Sequence, residues 1–138
     1  LKPGGRFAMS FWGDPSRVDL WTSWVPMLLE LGPPGEADGD LLAIGKPGVA
    51  ERYLVEHGFE PSARSATMCA IEYASVDDAV RANIANGPAW GCIQHSGIEA
   101  VEQRLRELLT PLQSETTGVV RQNNEMAWIT GQLNAEPG

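Results

Sequence analysis

The sequence predicts an α/β fold, because short apolar strands alternate with amphipathic helices along its 138 residues. Arg6–Trp12 is apolar at nearly every position, which is typical of a strand covered on both faces of a sheet. Residues 66–74 and 126–133 show the composition and alternation of two further strands. Residues 98–112 carry leucine and valine at helical spacing and form the clearest amphipathic helix.

The first helix is predicted to start at Asp14-Pro15-Ser16, because proline fits a first helical turn and the neighbouring side chains can cap it. Its apolar stripe consists of Val18, Trp21, Val25, Leu28 and Leu29. Pro26 lies within that stripe and is expected to kink or restart the helix.

Pro47 is predicted to begin the second helix, and Gly58 to end it in a left-handed conformation. Ser75 and Asp78 have the spacing of a capping box, which indicates a helix from there to about Asn86. Residues 89–97 are apolar but irregular and receive no assignment. A turn at Asn123-Asn124 is expected to precede the last strand.

The charge and composition of the chain argue against some classes of binding partner. The formal net charge is −8 and only two residues are lysine, so the protein should repel nucleic acid and anionic lipid, and we predict neither as a partner. Apolar runs are far shorter than the roughly 20 residues that cross a bilayer. Cys69 and Cys92 lack metal-site spacing, so they are predicted to be inert thiols, with no metal and a cytoplasmic location.

One run of residues resembles a known family. Residues 1–6 (Leu-Lys-Pro-Gly-Gly-Arg), followed by an apolar strand and Trp12-Gly13, resemble the fifth-strand region of class I S-adenosylmethionine-dependent methyltransferases. The likeness is greatest to the small-molecule branch of ubiquinone and menaquinone biosynthesis. Residues 45–59 resemble that family's late helix ending in Gly-Phe, and residues 126–133 resemble its last strand. The resemblance covers most of the chain.

The resemblance implies that residues 1–133 are a single α/β domain, the C-terminal half of a methyltransferase fold, followed by a disordered tail at 134–138. Its sheet would be partial, Rossmann-like and mixed, with strands in the order 5-7-6 and flanking helices. The family's Gly-rich cofactor loop has no counterpart in this chain. S-adenosylmethionine is therefore expected in the parent enzyme, and no cofactor is expected for this chain alone.

In that family the loop after the fifth strand lines the acceptor pocket, and aromatic walls suit a flat or apolar acceptor. The resemblance thus implies acceptor-binding roles for Trp12, Trp21, Trp24 and Trp90, with packing in the core as the alternative for each. His95 is a weak candidate for a general base toward an acceptor hydroxyl. Asp14 is interpreted as a helix-start charge rather than a catalytic group.

Three functions follow as hypotheses. The first is the acceptor-side half of a methyltransferase acting on a small molecule, inactive as this fragment. The second is a stand-alone ligand-binding or dimerisation module, and the third is an inactive methyltransferase-like protein. A homo-oligomer is expected, formed through the Arg6–Trp12 edge strand or the helix over residues 18–29, because an apolar edge needs a partner.

Overall fold

The computed structural model describes residues 1–34, 40 and 42–134. The strands in this part of the chain are β1 (Arg6–Trp12), β2 (Phe59–Tyr73) and β3 (Val120–Leu133). The helices are α1 (Leu20–Leu31), α2 (Val49–Glu56), α3 (Val76–Ile84), α4 (Gly87–Ser96) and α5 (Ile98–Leu109). Short 3-10 turns lie at Pro15–Arg17, Ala43–Gly45 and Thr110–Leu112. The α/β class and the bounds of β1 are as the sequence predicts.

The three strands form one antiparallel sheet in the order β1-β3-β2. In the β1–β3 pair, Arg6 lies opposite Gln132 and Trp12 opposite Met126. The predicted partial Rossmann-like mixed sheet is wrong. A mixed sheet needs neighbouring strands that run in the same direction, and in the described sheet β3 separates β1 from β2 and runs against both.

The described residues cluster into two compact units, so the single domain over residues 1–133 stays a prediction. The first unit comprises Leu1–Val18 with the described parts of Gly39–Cys69 and Asn124–Gly138, and it contains β1 and α2. Its core consists of Ala50, Leu54 and Ile129, packed against Phe7, Met9, Phe11, Ile44 and Phe59. Ala8 and Ser10 are exposed, so β1 buries one face and not the expected two.

The second unit comprises Ala70–Asn123 and the described part of Asp19–Asp38, and it contains α1, α3, α4 and α5. The amphipathic pattern of α5 is confirmed, because Val101, Leu105 and Leu109 are fully buried. Helix α4 occupies the segment that the sequence left unassigned. Its Pro88 stands in the first turn, where proline costs no hydrogen bond.

The predicted start of the first helix is wrong, because Pro15–Arg17 form a separate 3-10 turn and α1 begins at Leu20. Two other helix ends follow the sequence. The Ser75 hydroxyl accepts the Asp78 N–H at 3.1 Å and donates to the Asp78 carboxylate at 2.9 Å, which confirms the capping spacing. Gly58 has φ of +80° after α2, as its predicted role as a helix stop requires. Pro26 lies inside α1, which runs unbroken from Leu20 to Leu31.

Strands β2 and β3 are longer than predicted. β3 begins at Val120, so the predicted turn at Asn123-Asn124 is wrong, and Asn124 is fully buried within the strand. Even-numbered residues are buried up to Asn124 and odd-numbered ones from Glu125 onward, so no single alternation marks the strand. Of the predicted disordered tail, Asn134 donates its N–H to the Gly58 carbonyl at 3.0 Å, and residues 135–138 lie outside the described residues.

Gly45 provides a test of the packing in the first unit. A Cβ added there would lie 1.9 Å from the Gly13 carbonyl oxygen, which is backbone and cannot swing aside. We expect Gly45→Ala to lower the free energy of unfolding by the upper end of the roughly 1–3 kcal/mol typical of overpacking. Urea unfolding followed by tryptophan fluorescence measures it.

Gly91→Ala is the matched control, because the nearest heavy atom to its added Cβ lies 3.8 Å away and the residue lies within α4. We expect this variant to lose no stability, since alanine favours a helix over glycine. Equal losses for the two variants would contradict the close backbone approach at Gly45.

Candidate functional site

The first unit contains a cavity of about 320 Å³ where the chain leaves β1. Its lining residues are Asp14, Arg17, Gly45, Pro47, Gly48, Glu51, Arg64 and Glu125. A second cavity of about 480 Å³ in the same unit is lined by residues from the start of β1 together with Ser62, Thr130, Gly131 and Gln132. We take the first as the candidate site, because five ionisable side chains converge on it.

Glu125 lies at the centre of the charged wall. Its side chain is only 8% exposed, and its Oε2 pairs with Arg17 Nη1 at 2.5 Å. Its Oε1 accepts the Asp14 N–H at 3.1 Å, and its backbone carbonyl accepts the Gly13 N–H at 2.7 Å. A buried carboxylate needs such partners, since an unpaired one costs several kcal/mol. Glu125 therefore fixes the turn that follows β1.

Arg64 forms the other charged wall. Its Nη1 donates to both carboxylate oxygens of Glu51, at 3.1 and 2.9 Å, and its Nη2 donates to the Gly45 carbonyl at 3.1 Å. The guanidinium carbon lies 5.6 Å from the centroid of the Phe11 ring, within the range of a cation–π contact. These contacts hold the guanidinium in one orientation, because both terminal nitrogens donate hydrogen bonds to fixed acceptors.

Asp14 caps the 3-10 turn at Pro15–Arg17. Its Oδ1 accepts the Ser16 N–H at 2.9 Å and the Ser16 hydroxyl at 2.7 Å. The hydroxyl bond, then the backbone bond, hold the pKa of Asp14 below its ordinary value, and the charges of Arg17 and Arg64 act in the same direction. Asp14 is therefore ionised at neutral pH, and no ion pair joins it to another described residue.

The four tryptophans predicted to bind the acceptor fall in different units. Trp12 ends β1 in the first unit, where it is half-buried and is not among the residues that line the cavity. Trp21 and Trp24 lie on α1 in the second unit, with ring centroids 6.1 Å apart at 69°. Trp90 lies on α4 and is 64% exposed. His95, the candidate base, is exposed on α4.

Trp24 belongs to a hydrogen-bonded cluster in the second unit. Its Nε1 donates to Asn83 Oδ1 at 2.5 Å, and Asn83 Nδ2 donates to the Ala79 carbonyl at 2.8 Å. Burial raises the pKa of Tyr73, and a hydrogen bond with Asn83 partly offsets that rise. These contacts give Trp24 a packing role, and its role in acceptor binding stays a prediction.

Sequence reasoning missed four of the cavity's charged residues, Arg17, Glu51, Arg64 and Glu125. One local signal could have drawn attention to Glu125, because it directly precedes the apolar run of residues 126–129 and a carboxylate is rarely buried without a partner. Nothing local links it to Asp14, 111 positions away in the sequence. The assembly of the site depends on the pairing of β1 with β3.

Comparison with known proteins does not indicate a function. A scan against protein-family models and a search of curated proteins find no match for the chain. Within the described residues, no helix has the length and apolar character that crossing a bilayer requires. The same residues contain no group of three or more His, Cys, Asp or Glu side chains placed to hold a metal ion.

The Asp14 cap predicts a measurable titration. We expect the carboxyl carbon of Asp14, followed by NMR in the wild-type chain, to titrate with a midpoint below 3.8. Ser16→Ala removes the hydroxyl donor and keeps the backbone donor, so the midpoint should rise toward 3.8 without reaching it. Because the folded pKa is lowered, the cap stabilises the fold above pH 3.8, and this contribution is lost as the pH falls through the folded pKa. An unchanged midpoint in Ser16→Ala would show that the hydroxyl is not the main cause.

The Trp24 cluster predicts a loss of stability. Trp24→Phe removes the indole donor to Asn83, which is 1% exposed and so cannot turn to water. We expect the free energy of unfolding to fall by about 1–3 kcal/mol. Trp90→Phe is the control, since Trp90 is mostly exposed and should change stability by less than about 0.5 kcal/mol. Chemical denaturation of both variants measures this, and an equal effect would argue against a packing role for Trp24.

Proposed function

We propose that this chain is the acceptor-binding side of an S-adenosylmethionine-dependent methyltransferase that acts on a small molecule. The observation that carries the proposal is the cavity beside Asp14, directly after β1. β1 is the strand on which the resemblance rests, and the resemblance assigns the loop after it to the acceptor. A volume of about 320 Å³ lies within the range usual for small-molecule sites.

The cavity offers positioning rather than a reactive side chain. Arg64 is held by Glu51 and by the Gly45 carbonyl, and Glu125 is held by Arg17, so two of the walls are fixed by their own contacts. A bound molecule would meet a preformed surface and lose its rotational freedom there. Methyl transfer depends chiefly on such alignment and on the exclusion of water, so the role needs no named catalytic base.

We propose that S-adenosylmethionine does not bind in the turn after β1. In the turn that follows β1, a Cβ added at Gly13 would lie 2.4 Å from Glu125 Oε1, so a carboxylate already fills the space beside this glycine. This lack of space beside Gly13 supports a cofactor site away from the turn. We propose that the parent enzyme holds its cofactor in another part of the protein.

A stand-alone ligand-binding module is the second candidate. The observation that favours it is the antiparallel sheet, together with a separate hydrophobic core in each of the two units. Such a module would use the same cavity and would need no methyl donor. The two candidates differ only in whether another part of the protein binds S-adenosylmethionine.

The remaining parts of the proposal concern partners and compartment. The net charge of −8 supports a small-molecule partner over nucleic acid or an anionic membrane. β1 has one neighbour in the described sheet, which supports a homo-oligomer formed through this strand. Cys69 and Cys92 are free thiols, which supports a cytoplasmic location.

Titration with S-adenosylmethionine tests the proposal. Calorimetry on the 138-residue chain should show no micromolar binding, because a free energy near −8 kcal/mol demands a formed site. The protein encoded by the whole coding region should bind the same compound with micromolar affinity. Micromolar binding by the 138 residues would contradict the proposed division of the sites. A lack of binding by both proteins would overturn the methyltransferase and leave the ligand-binding module.

A further inference from the structure

We infer that the cavity beside β1 selects a neutral or positively charged acceptor that presents an amine or hydroxyl group to Asp14, and that it rejects anions. The inference rests on the proposed function only in taking this cavity as the acceptor site. It goes beyond that function by naming the chemical class of the acceptor and the atom that recognises it.

The two guanidinium groups of the cavity are already neutralised. Arg17 pairs with Glu125 at 2.5 Å, and Arg64 donates two hydrogen bonds to Glu51. An anionic ligand would approach two arginines whose charges are already balanced by carboxylates, and it would meet the unmatched negative charge of Asp14. Displacement of Glu125 from Arg17 would leave its 8% exposed side chain without a counter-ion, which is strongly unfavourable.

The third carboxylate, that of Asp14, uses only one of its two oxygens for hydrogen bonds within the described residues. Both hydrogen bonds from Ser16 fall on Asp14 Oδ1, and no described residue donates to Oδ2. The five charged side chains of the lining carry a formal net charge of −1, which belongs to Asp14 once the two ion pairs are matched. Asp14 Oδ2 is therefore open to a donor from a ligand, and a cationic donor adds an attractive charge.

Another part of the lining is apolar or backbone in character. Pro47 and Gly48 form it, and no heavy atom lies within 4 Å of the position that a Cβ on Gly48 would occupy. This open space can take a ring or chain that carries no charge. An acceptor with an apolar body and one amine or hydroxyl group would match both parts of the lining.

Three probes that share one ring and differ in charge separate the possibilities: benzylamine, benzyl alcohol and benzoate. Each is titrated into the ¹⁵N-labelled 138-residue chain, and the amide shifts of Gly45 and Gly48 are followed by NMR. Benzylamine should bind most tightly and benzyl alcohol more weakly. Benzoate should leave these amides unshifted at concentrations where benzylamine saturates them.

Asp14→Asn should weaken benzylamine binding about tenfold or more, because a hydrogen bond to a charged group contributes roughly 1.5–3 kcal/mol. The same variant should change the affinity for benzyl alcohol less than about threefold. Asp77→Asn is the matched control, since Asp77 is an exposed carboxylate on α3 in the other unit, and it should leave all affinities unchanged.

A wild-type measurement keeps the test decisive if Asp14→Asn does not fold. Raising the salt concentration should weaken binding of benzylamine and leave that of benzyl alcohol unchanged, because only the first is a charge pair. Benzoate binding as tight as benzylamine, salt-independent benzylamine binding, or no shift with any probe would each overturn the inference. None of these titrations contains a methyl donor, so failure of the methyltransferase proposal leaves their outcome unaffected.

Discussion

The neutralisation of one buried carboxylate, that of Glu125, organises the end of β1. Arg17 supplies the counter-charge, the Asp14 N–H supplies a hydrogen bond, and the Gly13 N–H binds the carbonyl of the same residue. A charge this deeply buried persists only when such partners are in place. The turn after β1, the 3-10 turn that follows it and the wall of the cavity are thus positioned by one side chain on β3.

Close packing of backbone completes the arrangement. Gly45 approaches the Gly13 carbonyl so closely that no larger residue fits, and the Gly45 carbonyl in turn accepts a hydrogen bond from Arg64. The segment before α2 therefore packs closely against the turn after β1, and the hydrogen bond from Arg64 to Gly45 holds it in place. This contact between two glycines thus lies between the charged groups that bind each segment, Glu125 at Gly13 and Arg64 at Gly45.

Elements with one regular pattern were predictable from the sequence, and those with a changing pattern were not. α5 places three apolar residues on one face at helical spacing, and β1 is apolar at nearly every position, so the bounds of each were predicted with little error. Asn123 and Asn124 have strong turn propensity, yet they lie in β3 because pairing with neighbouring strands overrides local preference. Asp14 and Arg17 meet Glu125 through strand pairing across more than 100 positions, which no local pattern reports. The four tryptophans were predicted to bind an acceptor because they are aromatic. Their residue type does not indicate in which of the two units each one lies.

In β3 the buried side chains switch from even-numbered to odd-numbered positions after Asn124, and this switch restricts how the strand can evolve. Gln122 and Asn124 are buried at even positions, while Ala127 and Ile129 are buried at odd ones. Deleting one residue after Asn124 would move Ala127 and Ile129 to the opposite face of the strand, while Gln122 and Asn124 would keep their positions. Such a length change would therefore disrupt the core that contains Ile129. A matching deletion would then be needed in β1, because β1 pairs with residues 126–132 of β3. Homologous chains should therefore vary in length within the loops and conserve the residue count of this strand.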